Sequence, residues 1–335
     1  MDEHALQDAK RLVLDHYEAV DAAAPGQLAR AFAQNTVPDM LWRGMHPFHE
    51  QVGSDAVAEV FLEPLAGAMG PWQRRPDIFF SGMNRMAGRH GLWVVQMGHL
   101  MGLWDQPFVG IPPSRKIAFL RYVDFHRVED GAIVEAACFT DLIALAYQAG
   151  LQPLPPQTGA AILTPGPRTH DGLLHGVQDP ADGQKTIELI DGMIDELIDL
   201  GAASPIEHLK RWWLPDMCWF GPGGIGASAF FKGYHRGHTN PFEEGLEFIR
   251  HRGHVTRLAE GNYGGFFGWP SMTMRPTGGF MGMPANDRPS DMRIVDLYRR
   301  EGDLLAENWI FIDLLHFFAM QGIDILERLR EVPRT

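Results

Sequence analysis

The chain has 335 residues and 45% of them are apolar, which is enough for two domains that each bury a core. Its 29 basic and 42 acidic residues give a net charge of −13, which argues against a nucleic-acid partner, because such a partner requires a basic surface. The two cysteines, Cys138 and Cys218, exclude a disulfide framework and a cysteine-rich zinc site, so we expect a cytoplasmic protein.

The first segment, "MDEHALQDAK", is charged and lacks the apolar core of a signal peptide. No apolar run reaches the ~20 residues that cross a bilayer, so we expect no membrane partner. Apolar residues at helical spacing from Leu6 to Val20 predict a first helix. A second short helix, a Pro-Asp corner at "VPDMLW" and a third helix, "SDAVAEVFLEPLAGAM", follow it.

The remainder of the first half is strand-like. Three segments are rich in β-branched and aromatic residues and are flanked by Gly, Pro or Asp: "GLWVVQMGHLMG", "RKIAFLRYVDFHRV" and "AIVEAACF". The turn "VEDGA" predicts a hairpin, and "TDLIALAYQAG" predicts a closing helix. Helices followed by antiparallel strands are typical of an α+β fold, in which the helices lie on one face of a sheet.

A Pro- and Gly-rich segment without periodicity, residues 153–184, predicts a linker between a first domain at 1–152 and a second at 185–335. The second domain repeats the first. "RYVDFHRVEDGAIVEAACFTD" from Arg121 aligns without a gap with "RIVDLYRREGDLLAENWIFID" from Arg293, an offset of 293 − 121 = 172. The corner "VPDMLW" aligns with "LPDMCW" at an offset of 177. We expect a loop to absorb the five-residue difference.

The repeated strand carries an acid at the same place in both halves, Asp124 and Asp296. Because side chains alternate along a strand, each acid shares a sheet face with the residues two positions away. These are Tyr122 and His126 in the first half, and Ile294 and Tyr298 in the second. Asp is depleted in strand interiors, and burying it is costly unless it is paired or protonated. The acids therefore lie either on a solvated face or in an arginine ion pair, or else inside a pocket that suits proton transfer.

Two longer segments carry a family resemblance: "GIPPSRKIAFLRYVDFHRVEDGAIVEAACFTD" and "GMPANDRPSDMRIVDLYRREGDLLAENWIFID". In each, a G-x-P turn precedes a long strand, a hairpin and a closing strand that ends in Asp. Both halves thus resemble SnoaL-like polyketide cyclases of the nuclear transport factor 2-like superfamily. The resemblance implies tandem cone-shaped domains, each a curved antiparallel sheet wrapped around helices with an internal pocket. It also implies that the two domains pair through their sheets as an intramolecular pseudo-dimer. Whether two such chains associate further into a homodimer is left open.

The resemblance implies a lyase or isomerase that works without metal or organic cofactor on a small hydrophobic or aromatic carbonyl substrate. In such aldol-type cyclisation or isomerisation, a carboxylate in a dry pocket removes a proton beside a carbonyl group, and polar neighbours stabilise the enolate. The family's acid on the closing strand corresponds to Cys138 and Ile310, and its histidine before the G-x-P turn to Trp104 and Pro276. A non-catalytic small-molecule-binding protein and an epoxide-hydrolase-like hydrolase therefore remain alternatives.

For the first half, we predict Asp124 as the proton-transfer residue, assisted by Tyr122 and His99; for the second half, Asp296 with Asn308. The predicted ligand-binding residues are Trp42, Trp104, Asp105, Cys138, Trp219 and Tyr298. The hydrolase alternative needs a water between two carboxylates, for which Asp124 and Asp105 are the candidates.

Two other sets of residues are interpreted structurally. Three His-x-x-His pairs contain Pro or Gly and lack a recurrent acid or cysteine partner, so we expect no metal site. Asp141 and Asp313 stand where a strand ends and a helix begins, which predicts two helix N-caps.

Overall fold

A computed structural model describes residues 3–331. The first-half helices are α1 Glu3–Asp21, α2 Leu28–Ala33, α3 Ser54–Val57, α4 Glu63–Met69 and α5 Leu142–Gln148, with a π-helical turn, Ala58–Leu62, between α3 and α4. The first-half strands are β1 Thr36–Gly44, β2 His49–Val52, β3 Gln73–Met83, β4 Leu92–Leu103, β5 Ile117–Glu129 and β6 Ala132–Thr140.

The described part of the second half follows the same order of elements, with one additional strand, a 3-10 turn and a final helix. Its helices are α6 Pro180–Asp199, α7 Ile206–Trp212, α8 Phe230–Tyr234, α9 Asn240–Gly245, α10 Leu314–Met320 and α11 Ile325–Glu331, with a π-helical turn, His235–Thr239, between α8 and α9 and a 3-10 turn at Phe280–Gly282. Its strands are β7 Trp213–Phe220, β8 Ala227–Ala229, β9 Leu246–His251, β10 Thr256–Glu260, β11 Tyr263–Pro276, β12 Ser290–Glu301 and β13 Leu304–Ile312.

Each half forms one sheet with the same strand order. The first sheet runs β2-β1-β6-β5-β4-β3, and the second runs β8-β7-β13-β12-β11-β10, with β9 also paired to β11. The predicted α+β fold is confirmed. The sheets are mixed rather than wholly antiparallel, because β1 runs parallel to β6 and β7 runs parallel to β13.

Local sequence explains the hairpins and the length difference between the halves. Asp130 and Gly131 both have positive φ, 49° and 75°, as a tight two-residue turn between β5 and β6 requires. The connection from β3 to β4 takes residues 84–91, whereas the turn from β10 to β11 takes only 261–262. Most of the length difference between the halves therefore lies in this loop.

The helices cover the inner face of each sheet, and α1 crosses β3 and β4 as α6 crosses β10 and β11. The outer faces of the two sheets pack on each other. Phe267 of the second sheet contacts Trp93, Phe125 and Phe139 of the first, with ring centroids 5.7, 4.9 and 6.0 Å apart. The chain thus buries the backs of both sheets internally and leaves an enclosed inner face in each half.

Two helix caps tie the halves together reciprocally. Asp141 accepts a hydrogen bond from the Ala144 backbone N–H at the start of α5, and its other oxygen accepts one from Gly223 in the second half, at 2.8 Å. Asp313 caps α10 in the same way, and its other oxygen accepts the His46 backbone N–H of the first half, at 3.0 Å. Both predicted N-caps are confirmed, and each also holds the interface.

The segment between the halves is not a free linker. The Leu174 backbone N–H donates to the Phe79 carbonyl of β3, the Phe79 N–H donates to the Gly172 carbonyl, and Ala160 pairs with Ala227 at β8. Its end is helical earlier than expected, since Asp179 caps α6 at Pro180 rather than near residue 185. The segment therefore contacts both sheets through backbone hydrogen bonds.

No helix within residues 3–331 has the length and apolarity needed to cross a membrane.

Candidate active site

Both strand acids face inward, where each lines a cavity between sheet and helices. Asp124 on β5 lines a cavity of about 40 Å³, and Asp296 on β12 lines one of about 290 Å³. The acids are partnered across the sheet by Cys138 and Ile310, the positions where the resemblance implies a closing-strand acid. Of the alternatives left open by the sequence, the solvated face is excluded in both halves, but the space in front of the two acids differs.

In the first half an arginine holds the acid. Arg74 of β3 donates from Nε and Nη2 to the two oxygens of Asp21, both at 2.8 Å, and its Nη1 lies 3.8 Å from Asp124 Oδ2. The Arg74 guanidinium also lies 4.1 Å from the centre of the Tyr17 ring, whose hydroxyl donates to Asp124 at 3.4 Å. Asp124 therefore belongs to an ion-pair network that spans α1, β3 and β5.

Neutral groups surround this network. Burial raises the pKa of Asp124 to about 6, and Arg74 acts against that rise. Burial lowers the pKa of His16 to about 3, so its imidazole is neutral. Tyr122 donates its hydroxyl to Gln96 at 2.5 Å rather than to the acid. A cavity of about 40 Å³ holds a few waters at most, since one water occupies ~10–15 Å³ on this measure. This is a polar core without room for an organic substrate.

In the second half Asp296 has no cationic partner in the described part of the chain. The Asn308 amide donates to Asp296 Oδ1 and to the Leu297 carbonyl, both at 3.0 Å, which fixes the carboxyl in the cavity wall. Burial raises the pKa of Asp296 to about 7, and the hydrogen bonds from Asn308 and Tyr298 only partly oppose that rise. This carboxyl can take up and release a proton near neutral pH.

Aromatic rings line the larger cavity. The His238 imidazole stacks on Trp219 at 4.1 Å, and the His254 imidazole stacks on Phe266 at 3.8 Å. Tyr298 lines the wall beside Asp296. Flat aromatic and imidazole faces around one buried carboxyl suit a planar apolar ligand.

A glycine makes room for the tryptophan of each half. A Cβ on Gly44 would lie 2.3 Å from the Trp42 ring, and a Cβ on Gly221 would lie 2.1 Å from the Trp219 ring. Both pairs belong to the repeated Pro-Asp corner at an offset of 221 − 44 = 177. The corner thus sets the tryptophan against the cavity in each half.

Most of the sequence-predicted residues lie in the cavities. Trp42, Tyr122, Asp124 and Cys138 line the smaller cavity, and Trp219, Asp296, Tyr298 and Asn308 line the larger one. Three predictions are wrong, those for His99, Trp104 and Asp105.

His99 pairs with Arg121 rather than with Tyr122, so it points to the outer face, 3.4 Å from Asp77. Trp104 follows the end of β4 and is fully buried in the core without lining the cavity. Asp105 is exposed, and its backbone N–H bonds to the Ala68 carbonyl. The expected pair of Asp124 with Asp105 therefore does not form.

Sequence reasoning missed Arg74, Tyr17 and Asp21 in the first half, and His238 and Tyr234 in the second. For His238 a signal existed. The proline in "EPL" at Pro64 and the proline in "NPF" at Pro241 also stand 177 residues apart, which aligns His238 with Phe61. Among residues 3–331, no group of three or more His, Cys, Asp or Glu is placed to hold a metal ion.

No protein-family model matches the chain, and no curated protein matches it. Solved structures do match, and each of those described below covers less than half of this chain. One, assigned as a SnoaL-like polyketide cyclase from Jannaschia sp. CCS1, is 22% identical with a TM-score of 0.35, covering 45% of this chain and 94% of its own. A nuclear transport factor 2-like protein from Burkholderia thailandensis is 22% identical with a TM-score of 0.31, covering 43% and 97%.

An LEH-like epoxide hydrolase from M. tuberculosis is 12% identical with a TM-score of 0.30, covering 43% of this chain and 91% of its own. The matched structures include SnoaL-like polyketide cyclases and nuclear transport factor 2-like proteins, the group of proteins that the two sequence motifs resemble.

Proposed function

We propose that the second half carries a cofactor-independent acid–base site, in which Asp296 moves a proton at the carbon next to a carbonyl group of a flat, apolar molecule. One observation carries the proposal. A carboxyl group without a cationic partner among the described residues, with a pKa of about 7, stands in the wall of a cavity of about 290 Å³.

The protonation behaviour of Asp296 supports this role. A general base is most effective when its pKa lies near the working pH, because it is then both ionised and basic. Asp124 is less suited, since Arg74 stabilises its carboxylate and the space beside it admits only water. We therefore assign the chemistry to the second half and a structural role to the acid of the first.

The size and walls of the cavity indicate the kind of substrate. A cavity of ~150 Å³ holds one benzene ring, so about 290 Å³ suits a molecule of two or three fused rings. The stacked imidazoles and Trp219 offer flat faces to such rings, and few charged groups line the walls. The substrate class is therefore a neutral, ring-bearing ketone or ester.

Hydrogen exchange tests the proposal without knowledge of the natural substrate. The protein is incubated in D₂O with 1-tetralone and with tricyclic ketones, and loss of the proton next to the carbonyl is followed by NMR. We expect Asp296→Asn to slow the catalysed exchange by ~10²–10⁴-fold, the usual contribution of a general base. The rate should rise with pH through about 7, because only the ionised carboxylate accepts a proton.

Asp124→Asn is the matched control and should exchange at the wild-type rate. Equal rates for the wild type and Asp296→Asn, or a comparable loss in Asp124→Asn, would refute the assignment.

A binding protein without chemistry is the second candidate. It is favoured by Cys138 and Ile310, which stand where the resemblance implies a catalytic acid. Ketones that raise the melting temperature of the wild type, without catalysed exchange at any pH, would select this candidate over the enzyme. The hydrolase alternative lacks its predicted pair of carboxylates, since Asp105 is exposed whereas Asp124 lines the inner cavity.

A further inference from the structure

We propose that His238 is a second substrate-contacting residue of this site, whose Nε2–H donates a hydrogen bond to the substrate oxygen that gains negative charge. This role rests on the proposed function of Asp296. The family resemblance does not point to this residue, which lies on a helical segment rather than on the sheet.

The position of the His238 ring is fixed by its neighbours. The ring stacks on Trp219 at 4.1 Å with 20° between the planes, and the Phe242 ring meets it edge-on at 4.4 Å. It stands in the π-helical turn between α8 and α9, a local geometry often found at functional sites. A ring held from two sides presents its free edge to the cavity in one orientation.

The two ring nitrogens of His238 differ. Nδ1 is enclosed by protein and has no partner, and neither nitrogen bonds to a protein group within residues 3–331. An unpaired N–H is harder to bury than an unpaired acceptor, so the proton belongs on Nε2, which can meet a ligand. Burial lowers the pKa of His238 to about 3, so the imidazole is neutral, with Nε2–H as its single donor and Nδ1 as an acceptor.

The first half shows that packing does not need an imidazole here. The aligned residue is Phe61, at an offset of 238 − 61 = 177, and it packs on Trp42 with centroids 5.6 Å apart. A phenyl ring thus fills the same place against the same partner. His238 instead leaves its buried Nδ1 unpaired, which lowers the stability of the fold. We infer that this cost is offset by a hydrogen bond from Nε2 to a bound ligand.

The step balances without a co-reactant. The Asp296 carboxylate takes the proton from the carbon next to the carbonyl, and the C–H electron pair becomes the new C=C bond. The carbonyl π electrons move to oxygen, whose charge the His238 N–H stabilises. The imidazole keeps its proton throughout, and Asp296 returns its proton to the product.

The test compares His238→Phe, which copies the first half, with wild type. The probes are 1-tetralone and tetralin, which differ only in having a carbonyl or a methylene group at one ring position, and they are titrated at pH 9 so that Asp296 is ionised and cannot donate. We expect wild type to bind the ketone more tightly than tetralin. In His238→Phe the ratio of the two affinities should fall about tenfold, with the affinity for tetralin unchanged. The infrared carbonyl band of bound ¹³C-labelled 1-tetralone should lie at lower frequency in wild type than in His238→Phe.

His238→Gln retains a donor and should restore part of both effects, and urea unfolding should show His238→Phe at least as stable as wild type. No ketone preference in wild type, or an unchanged preference and band position in His238→Phe, would overturn the proposal. The two proposals fail separately. Loss of exchange in Asp296→Asn with an unshifted band refutes only the role of His238, whereas a shifted band without exchange refutes only the proton transfer.

Discussion

The two halves share one strand pattern and one inward acid, yet they surround that acid differently. Asp124 has Arg74 within 3.8 Å, Tyr17 within 3.4 Å and about 40 Å³ of space. Asp296 has the amide of Asn308 at 3.0 Å and about 290 Å³. An inward carboxyl on this scaffold is therefore not sufficient for a site. Free space and the absence of a cation decide whether the acid can meet a substrate.

The exchange of a few aligned side chains produces the difference. Arg74 pairs with Leu100 in the first sheet, and His251 takes the equivalent place in the second sheet, where it pairs with Met272. Tyr17 on α1 aligns with Ile194 on α6, at an offset of 194 − 17 = 177. These two changes remove the charged group and the hydroxyl that hold the acid in the first half. The polar groups beside Asp296, the Asn308 amide and the Tyr298 hydroxyl, are neutral, so the pKa of its carboxyl stays high.

The largest expected effect is in the pH dependence of stability. The pKa of Asp296 rises from 3.8 to about 7 on folding, so the native state keeps a proton that the unfolded chain loses. Wild type should therefore lose roughly 4 kcal/mol relative to Asp296→Asn as the pH rises from about 4 to 8. Urea unfolding of both proteins across that range measures it. A difference independent of pH would contradict the burial of this acid.

Removing the arginine of the first half should come next. Arg74→Leu leaves Asp21 and Asp124 without their cation, which we expect to cost roughly 3 kcal/mol at neutral pH. His251→Leu, at the matching place in the second half, serves as control and should change stability by less than about 1 kcal/mol. Urea unfolding gives both values. Similar losses in the two variants would mean that the halves hold their acids alike.

The two helix caps at the interface between the halves, by contrast, should contribute equally to stability. Asp141→Ala and Asp313→Ala each remove a helix cap and one hydrogen bond to the opposite half, so each should cost about 2 kcal/mol. Thermal unfolding of the pair of variants tests it. Values that differ by more than about 1 kcal/mol would show that the symmetry of the caps is not matched in energy.

The smallest effect expected is that of the two corner glycines. Gly44→Ala and Gly221→Ala each push a methyl group against a tryptophan and should cost about 1–2 kcal/mol. Only Gly221→Ala should also reduce the thermal stabilisation by 1-tetralone, because Trp219 lines the larger cavity and Trp42 does not. Weaker ketone binding in Gly44→Ala would place a ligand in the first half instead.

The neighbours that share a sheet face with each acid and the two caps were predictable, because they follow from local periodicity and from residue types at strand ends. The prediction for His99 failed since its face depends on pairing with Arg121 of β5, which a strand pattern alone does not specify. Arg74 was missed for a related reason. It meets Asp124 across an intervening strand and reaches Asp21 on a helix 53 residues away.

The sequence by itself determined the repeated elements, their α+β class and the alternation that places Asp124 and Asp296 on equivalent sheet faces, because these depend on neighbours within a few residues. The tertiary structure alone decided which of the two hollows stays open. That outcome depends on side chains from distant helices and strands, such as Arg74 and His238, which either fill the space before the acid or leave it free.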